Sequence, residues 1–273
     1  MLKQRIITAI ILASILVGTI ALGNSVGINL LFAVLLYTAA RELVMLTLKV
    51  GPIMASLLAV PLPLLFWWSL ATIDFLDQHW FAMYGLACWL LISISLFCYR
   101  FSGRWNLLQR SMLLIFALSL LWVCVQGLVH LQTRYSEGSW MLLYLCTLVW
   151  IADIGAYFSG KRFGKHKLAP AISPGKTWEG VVGGIAANTV WILLVYQLSD
   201  GFGLPLIPFL IIGLVTSVLS VVGDLFESIL KREAGVKDSG KLLPGHGGIL
   251  DRVDSIIAAS PVFVAGLWIA GLQ

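Results

Sequence analysis

Residues 205–232 read PLIPFLIIGLVTSVLSVVGDLFESILKR. Nothing ionisable occurs between 205 and 223, a length that as helix rises roughly 28 Å at 1.5 Å per residue, close to the thickness of bilayer hydrocarbon. Asp224, Glu227, Ser228 and Lys231 then fall at i, i+3, i+4 and i+7, so they share one helix face. A spanning helix that gathers acids on one face and ends in Lys231-Arg232 sets the reading of the whole chain.

Similar apolar runs recur on both sides of it. Nine spans are expected, at about 6–22, 27–47, 52–71, 80–98, 111–131, 140–159, 180–198, 205–230 and 252–272. They must be helices, because backbone polar groups in lipid need partners within their own segment. Of 273 residues, 59% are hydrophobic and 11% charged, which excludes a water-soluble globule. Residues 1–5 with the run at 6–22 have the outline of a signal peptide. The run is longer than the usual apolar core of one and no small-x-small site follows, so it reads as a retained first span. Cys88, Cys98, Cys124 and Cys146 lie in or at the end of apolar runs without metal-ligand spacing, and read as packing residues.

Loop charge orients the spans. Lys3, Arg5, Arg41, Lys49, Arg100, Arg104 and Arg110 fall on one side with Lys161, Arg162, Lys165, Lys167 and Lys176, and with Lys231, Arg232, Lys237, Lys241 and Arg252. The other side has only Arg134, beside Asp74, Asp77, Glu137 and Asp200. Seventeen of eighteen basic residues thus share a face, which places the N-terminus in the cytoplasm and the C-terminus outside. The fold expected is an all-α integral membrane protein of about nine transmembrane helices. The net charge of +5 is a topology signal, spread over five short loops, and does not point to nucleic acid.

The two halves differ. Residues 1–135 read as an N-terminal scaffold of about five helices, nearly free of buried ionisable groups apart from Arg41-Glu42. Residues 136–273 read as a catalytic region of about four helices and two cytoplasmic loops. There Asp153, Asp224, Glu227, Asp251 and Asp254 enter the spans near their cytoplasmic ends. An acid at membrane depth costs several kcal/mol and marks function by default; as structural glue, the five would simply pair with Lys231, Arg232 and Arg252. Asp251 and Asp254 open the last span, where the helix dipole also favours anions. Facing carboxylates with no nearby Cys suit a hard cation, Mg²⁺ before Zn²⁺.

The loops supply the opposite charge. Ser173-Pro174-Gly175-Lys176-Thr177-Trp178-Glu179-Gly180 runs directly into span seven, offering hydroxyls, an ammonium and helix N–H groups to a phosphate. Gly175-Lys176-Thr177 ends like a Walker A loop, but Pro170 replaces the upstream glycine and no strand is expected before it, so a P-loop is rejected. The second loop carries Lys231, Arg232 and Lys237, then Pro244-Gly245-His246-Gly247-Gly248 before Asp251. Glycines there let backbone approach a ligand, and His246 reads as a substrate contact. His79 and His130 read as interfacial residues, and His166 is left open. Residues alone therefore describe a site for a cation and a polyphosphate at the membrane surface, taking its donor from water and its acceptor from the bilayer.

The stretch from Ser228 to Asp254 resembles the signature of phosphatidate cytidylyltransferases. It reads Ser228-Ile-Leu230-Lys231-Arg232, then Lys237-Asp238-Ser-Gly240, then Leu243-Pro244-Gly-His246-Gly247-Gly248-Ile249-Leu-Asp251-Arg252-Val253-Asp254. Gly223-Asp224, residues 173–180 and Asp153-Ile-Gly155-Ala156-Tyr157 are also similar to this family. The motif resemblance covers roughly residues 150–255. It implies that CTP and phosphatidic acid give CDP-diacylglycerol and pyrophosphate, with Mg²⁺ required and room for a second cation such as K⁺, in a homodimer of the cell membrane. On this chain it makes Asp224, Asp251 and Asp254 metal-site candidates and adds Lys231 and Lys237 to the catalytic set. Asp153, Ser173, Lys176, Thr177, Glu179, Ser228, Arg232, His246, Gly247, Gly248 and Arg252 are the expected substrate contacts. A CTP-dependent lipid or polyprenol kinase, leaving CDP, is the nearest alternative. A cation-coupled transporter is remote, since such sites lie near the midplane of repeated architectures and no repeat is visible here.

Overall fold

The computed structural model describes residues 2–21, 25–72, 78–98 and 105–272. Asp74, Asp77, Arg100 and Arg104 lie outside the described residues, as do the side chains of Lys3, Arg5 and Cys98. Nine helical segments occur among the described residues: α1 (Leu2–Ala21), α2 (Ser25–Leu48), α3 (Pro52–Thr72), α4 (Gln78–Cys98), α5 (Leu107–Arg134), α6 (Gly138–Phe163), α7 (Trp178–Ser199), α8 (Leu206–Ala234) and α9 (Leu250–Ile269). Eight are long and apolar enough to cross a membrane, and α1 adds a shorter apolar stretch, Ile10–Ile20. The chain is an all-α, multi-pass membrane protein.

Its surface agrees with that reading. Ile53, Leu91, Ile94, Ile115 and Ile207 are all more than 60% exposed, an arrangement suited to lipid and costly in water. Helix α3 is interrupted at Val60, because Pro61 has no N–H for the ladder. Pro261 sits buried inside α9. Cys88, Cys124 and Cys146 are buried free thiols, packing residues as their apolar surroundings predict. His79 stacks on Trp268 with ring centroids 4.9 Å apart, and His130 is buried against Tyr135.

One hydrophobic core joins residues of both halves, from Leu36 and Leu43 of α2 through Leu121 and Leu128 of α5 to Phe263 and Val264 of α9. The most extensive helix–helix contact is between α6 and α7, and small residues line the seam. A Cβ at Gly155 would stand 2.8 Å from Ala187, and one at Gly184 only 2.8 Å from the Ala152 carbonyl. Small residues at fourfold spacing, Gly180/Gly184 in α7 and Gly213/Ser217 in α8, suit close packing of these two helices. Gly213 and Ser217 do meet Ile192 and Asn188 of α7, whereas Gly180 and Gly184 face α6. Fourfold spacing identifies a close-packing face without naming its partner. Replacing Gly184 by Val is expected to destabilise the protein by about 1–3 kcal/mol through overpacking, read as a lower thermal-unfolding midpoint in detergent.

The fold departs from helix in one place that matters. β1 (Lys167–Ala169) pairs antiparallel with β2 (Ser173–Thr177), Lys167 opposite Thr177 and Ala169 opposite Ser173. The segment expected to be a loop is thus a hairpin strand leading straight into α7. Glycine and lysine here lie on extended backbone, in a different geometry from a phosphate-wrapping loop.

Candidate active site

Consecutive spans alternate in direction, so the ends of α2, α6 and α8 and the starts of α7 and α9 lie at the same face of the bundle. Gly223 brings two of them together. A Cβ there would sit 2.5 Å from the Asp254 carbonyl oxygen and 3.0 Å from Ala258 Cβ, so only glycine lets α8 and α9 approach this closely. The next residue, Asp224, thereby meets Asp254. Glu227, one turn further along α8, completes a group in which one carboxylate oxygen from each residue lies within 4.8 Å of the other two.

Two lysines flank this trio. Lys176 Nζ, from β2, reaches Asp224 Oδ2 at 2.6 Å, and the other Asp224 oxygen accepts from Ser228 Oγ at 3.3 Å. Lys231 pairs with Glu227 one turn before it and with Asp251 Oδ1 at 2.7 Å. The side chain of Glu227 is 3% exposed. Its Oε1 is buried with no hydrogen-bond partner among the described residues, a costly state unless something else occupies that side of the carboxylate. Asp153 of α6 is within electrostatic reach of Asp224, Lys176 and Arg252.

The expected metal set was Asp224, Asp251 and Asp254; the structure groups Glu227, in place of Asp251, with the other two. Asp251 is engaged elsewhere. Its Oδ2 accepts from Ser239 N–H (2.8 Å), Ser239 Oγ (2.9 Å) and Gly248 N–H (2.8 Å), while Oδ1 faces Lys231. Such a carboxylate shapes the loop between α8 and α9. Gly247 sits at φ +84°, a left-handed conformation suited to glycine, and its carbonyl accepts from Leu243 N–H at 2.9 Å.

Other expected contacts sort by what they already hold. Thr177 is buried and caps α7, its Oγ1 accepting from Gly180 N–H at 3.1 Å. Glu179 binds back onto the hairpin approach, accepting from Lys165 N–H (3.1 Å) and pairing with His166 Nδ1 (2.6 Å). These two brace the hairpin against α7, and His166 finds its partner in Glu179. Arg232 donates from Nε to the Ile172 carbonyl at 3.0 Å, tying the two loops together while its remaining N–H groups stay available. Ser173 and Lys176 stand on β2. Lys237 and Arg252 are exposed. His246 Nδ1 is buried without a partner among the described residues, and Gly248 is buried.

One residue that matters here stands out in the sequence only as an ionisable exception in the first half, with no role assigned. Glu42 of α2, 2% exposed, reaches across to the same loop, stands 3.0 Å from Ser239 Oγ and accepts from Ile249 N–H (3.1 Å) and Leu250 N–H (2.8 Å). The signal available was its charge alone: a carboxylate within a span of the otherwise apolar first half.

A membrane-embedded bundle with acids and lysines interleaved beneath two basic loops defines a membrane enzyme handling phosphorylated substrates. Comparison with known proteins makes this particular. The cytidylyltransferase family model matches residues 3–270, and the chain belongs to that family. It is 40% identical to the phosphatidate cytidylyltransferase of Pseudomonas aeruginosa, over 99% of this chain and 98% of that one. It is 33% identical to the Bacillus subtilis phosphatidate cytidylyltransferase over 95% of each chain. The enzyme of the same name from Haemophilus influenzae is 45% identical over 66% of this chain and 64% of its own.

Proposed function

We propose that transfer of a cytidylyl group from CTP to phosphatidate, giving CDP-diacylglycerol and pyrophosphate, takes place at the mouth formed by α8, α9 and the β1–β2 hairpin. The observation that carries the placement is the trio Asp224, Glu227 and Asp254, oxygens within 4.8 Å, set between Lys176 and Lys231.

The reaction asks for little proton chemistry. A phosphomonoester has its second pKa near 6, so phosphatidate arrives largely as a dianion able to attack the CTP α-phosphorus unaided. The new bond joins a phosphatidate oxygen to that phosphorus, and the bond to the bridging oxygen breaks, releasing pyrophosphate. What the protein must do is bring anions together and neutralise the leaving charge. Lys176, Lys231, Arg232, Lys237 and Arg252 supply cationic groups from both loops, and His246 a ring nitrogen in a glycine turn.

The donor set fits a divalent cation. Three carboxylates provide hard oxygen ligands suited to Mg²⁺, and the unpartnered Glu227 Oε1 is what such a cation would satisfy. Asp224, Glu227 and Asp254 would hold it. When bound, Mg²⁺ supplies charge neutralisation for the phosphates. A second cation such as K⁺ belongs to the same reading, as does assembly into a homodimer, which rests on the family resemblance alone. The site faces the cytoplasm in this account, because loop charge puts seventeen of eighteen basic residues on its side; the membrane is then the cell membrane.

The test is the fate of label from γ-labelled CTP with purified protein, phosphatidate and Mg²⁺. Label in pyrophosphate, dependent on all three, is the expected result. Label in the lipid would mean a CTP-dependent kinase, and label in neither would leave the site without this reaction.

A further inference from the structure

Helix α9 begins without a local cap: no side chain at Ile249 accepts from its first turn. Its first N–H groups, those of Ile249 and Leu250, are taken by Glu42 across the bundle, at 3.1 and 2.8 Å. A carboxylate in that position satisfies donors the helix cannot satisfy itself and meets the positive end of its dipole. The same carboxylate is 3.0 Å from Ser239 Oγ, which stands 2.9 Å from Asp251 Oδ2. Asp251 in turn pairs with Lys231, the partner of Glu227. A continuous polar chain therefore runs from Glu42 through Ser239, Asp251 and Lys231 to the carboxylate trio.

The surroundings are shaped to this carboxylate. A methyl group at Gly240 would come within 2.8 Å of Glu42 Cδ, and the three atoms nearest to that methyl all belong to Glu42. A methyl at Gly248 would strike Glu42 and Ser239 together. Both glycines have φ outside the left-handed region, so backbone conformation does not require them. The space they leave is the space the Glu42 head occupies.

We propose that Glu42 is a positioning residue of the transfer reaction: contributed by the N-terminal half, it caps α9 in trans and fixes Asp251, and through Asp251 the ammonium of Lys231. The inference rests on placing the reaction at Asp224, Glu227 and Asp254. Glu42 touches no substrate in this account and acts only through the residues it holds.

Glu42→Gln keeps the shape but turns an amide N–H toward the donors of Ile249 or Leu250. Glu42→Asp keeps the charge one methylene further away. Gly240→Ala presses on the Glu42 carboxylate while leaving it in the chain. Each variant is measured in detergent on the monodisperse folded fraction, with kcat and KM for CTP determined separately. Glu42→Gln is expected to lower kcat about 10- to 100-fold, the range for residues that orient a reacting group through another, with KM for CTP shifted much less. Glu42→Asp should recover part of that loss. Gly240→Ala should lower kcat by itself, and adding Glu42→Asp to it should raise kcat again, because the shorter side chain clears the methyl.

Wild-type kcat in folded Glu42→Gln, or in folded Gly240→Ala should Glu42→Gln not fold, overturns the proposal. So does failure of all these variants to fold, which would make Glu42 a purely structural residue. Asp254→Asn, assayed in parallel, separates this from the underlying placement. An active Asp254→Asn sinks the site itself, whereas an inactive one beside a fully active Glu42→Gln sinks only the role of Glu42.

Discussion

Asp254→Asn lowers turnover by a factor of about 10²–10³, the scale on which removing one preorganised electrostatic group acts, and does so without lowering stability in the absence of divalent cations. The two halves of this result have one cause. Three carboxylates whose oxygens lie within 4.8 Å repel one another by about 3 kcal/mol per pair at an effective dielectric near 20, before Lys176 and Lys231 offset it. On the proposed reading, a bound cation offsets that cost. Removing one negative charge relieves the repulsion, so the thermal midpoint in EDTA should hold or rise, while the activity measured with Mg²⁺ should collapse. Activity and stability falling together would instead mark Asp254 as structural.

The second large effect is at Lys231. Its side chain is 13% exposed, and the carboxylates it joins, Glu227 and Asp251, are 3% and 5% exposed. Lys231→Met would leave two buried negative charges facing each other. Breaking a buried pair by removing one partner costs about 3–5 kcal/mol, so this variant should lose both turnover and a large part of its thermal stability. Lys176→Met is the informative contrast: its pair with Asp224 is more open, 23% and 29% exposed, and exposed pairs contribute about 0–1 kcal/mol. Thermal unfolding of both variants in the same detergent checks the difference. Equal midpoints would mean that the Glu227–Lys231–Asp251 bridge does not hold the site.

How far the sequence carries can be judged from these same residues. Asp224, Glu227, Ser228 and Lys231 share a face because helix geometry fixes spacings of three, four and seven, and a span must be helical. The depth of the acids follows from the positions of the basic loops. The exchange of Asp251 for Glu227 was not legible. It depends on how residues 235–249 fold back, and two of the donors that take up Asp251, the N–H groups of Ser239 and Gly248, leave no trace in residue type. Thr177 illustrates the same limit: a hydroxyl at a helix start suits a phosphate site and a helix cap alike, and only the fold shows its Oγ1 accepting from Gly180 N–H. Glu42 lies furthest beyond reach, because no periodicity within α2 predicts that its partner is the first turn of α9. The family resemblance, confined to motifs in roughly 150–255, left it among scaffold.

The central claim is that Asp224, Glu227 and Asp254 form one divalent-cation site while Asp251 shapes the loop beside it. Titration of the purified protein with Mn²⁺, followed by the paramagnetic signal of the free ion, addresses it without reference to turnover. One saturable site is predicted in the wild type, displaced by Mg²⁺, lost in Asp254→Asn and Glu227→Gln, and retained in Asp251→Asn although that variant turns over poorly. A site that survives Asp254→Asn and Glu227→Gln but disappears in Asp251→Asn would contradict the account.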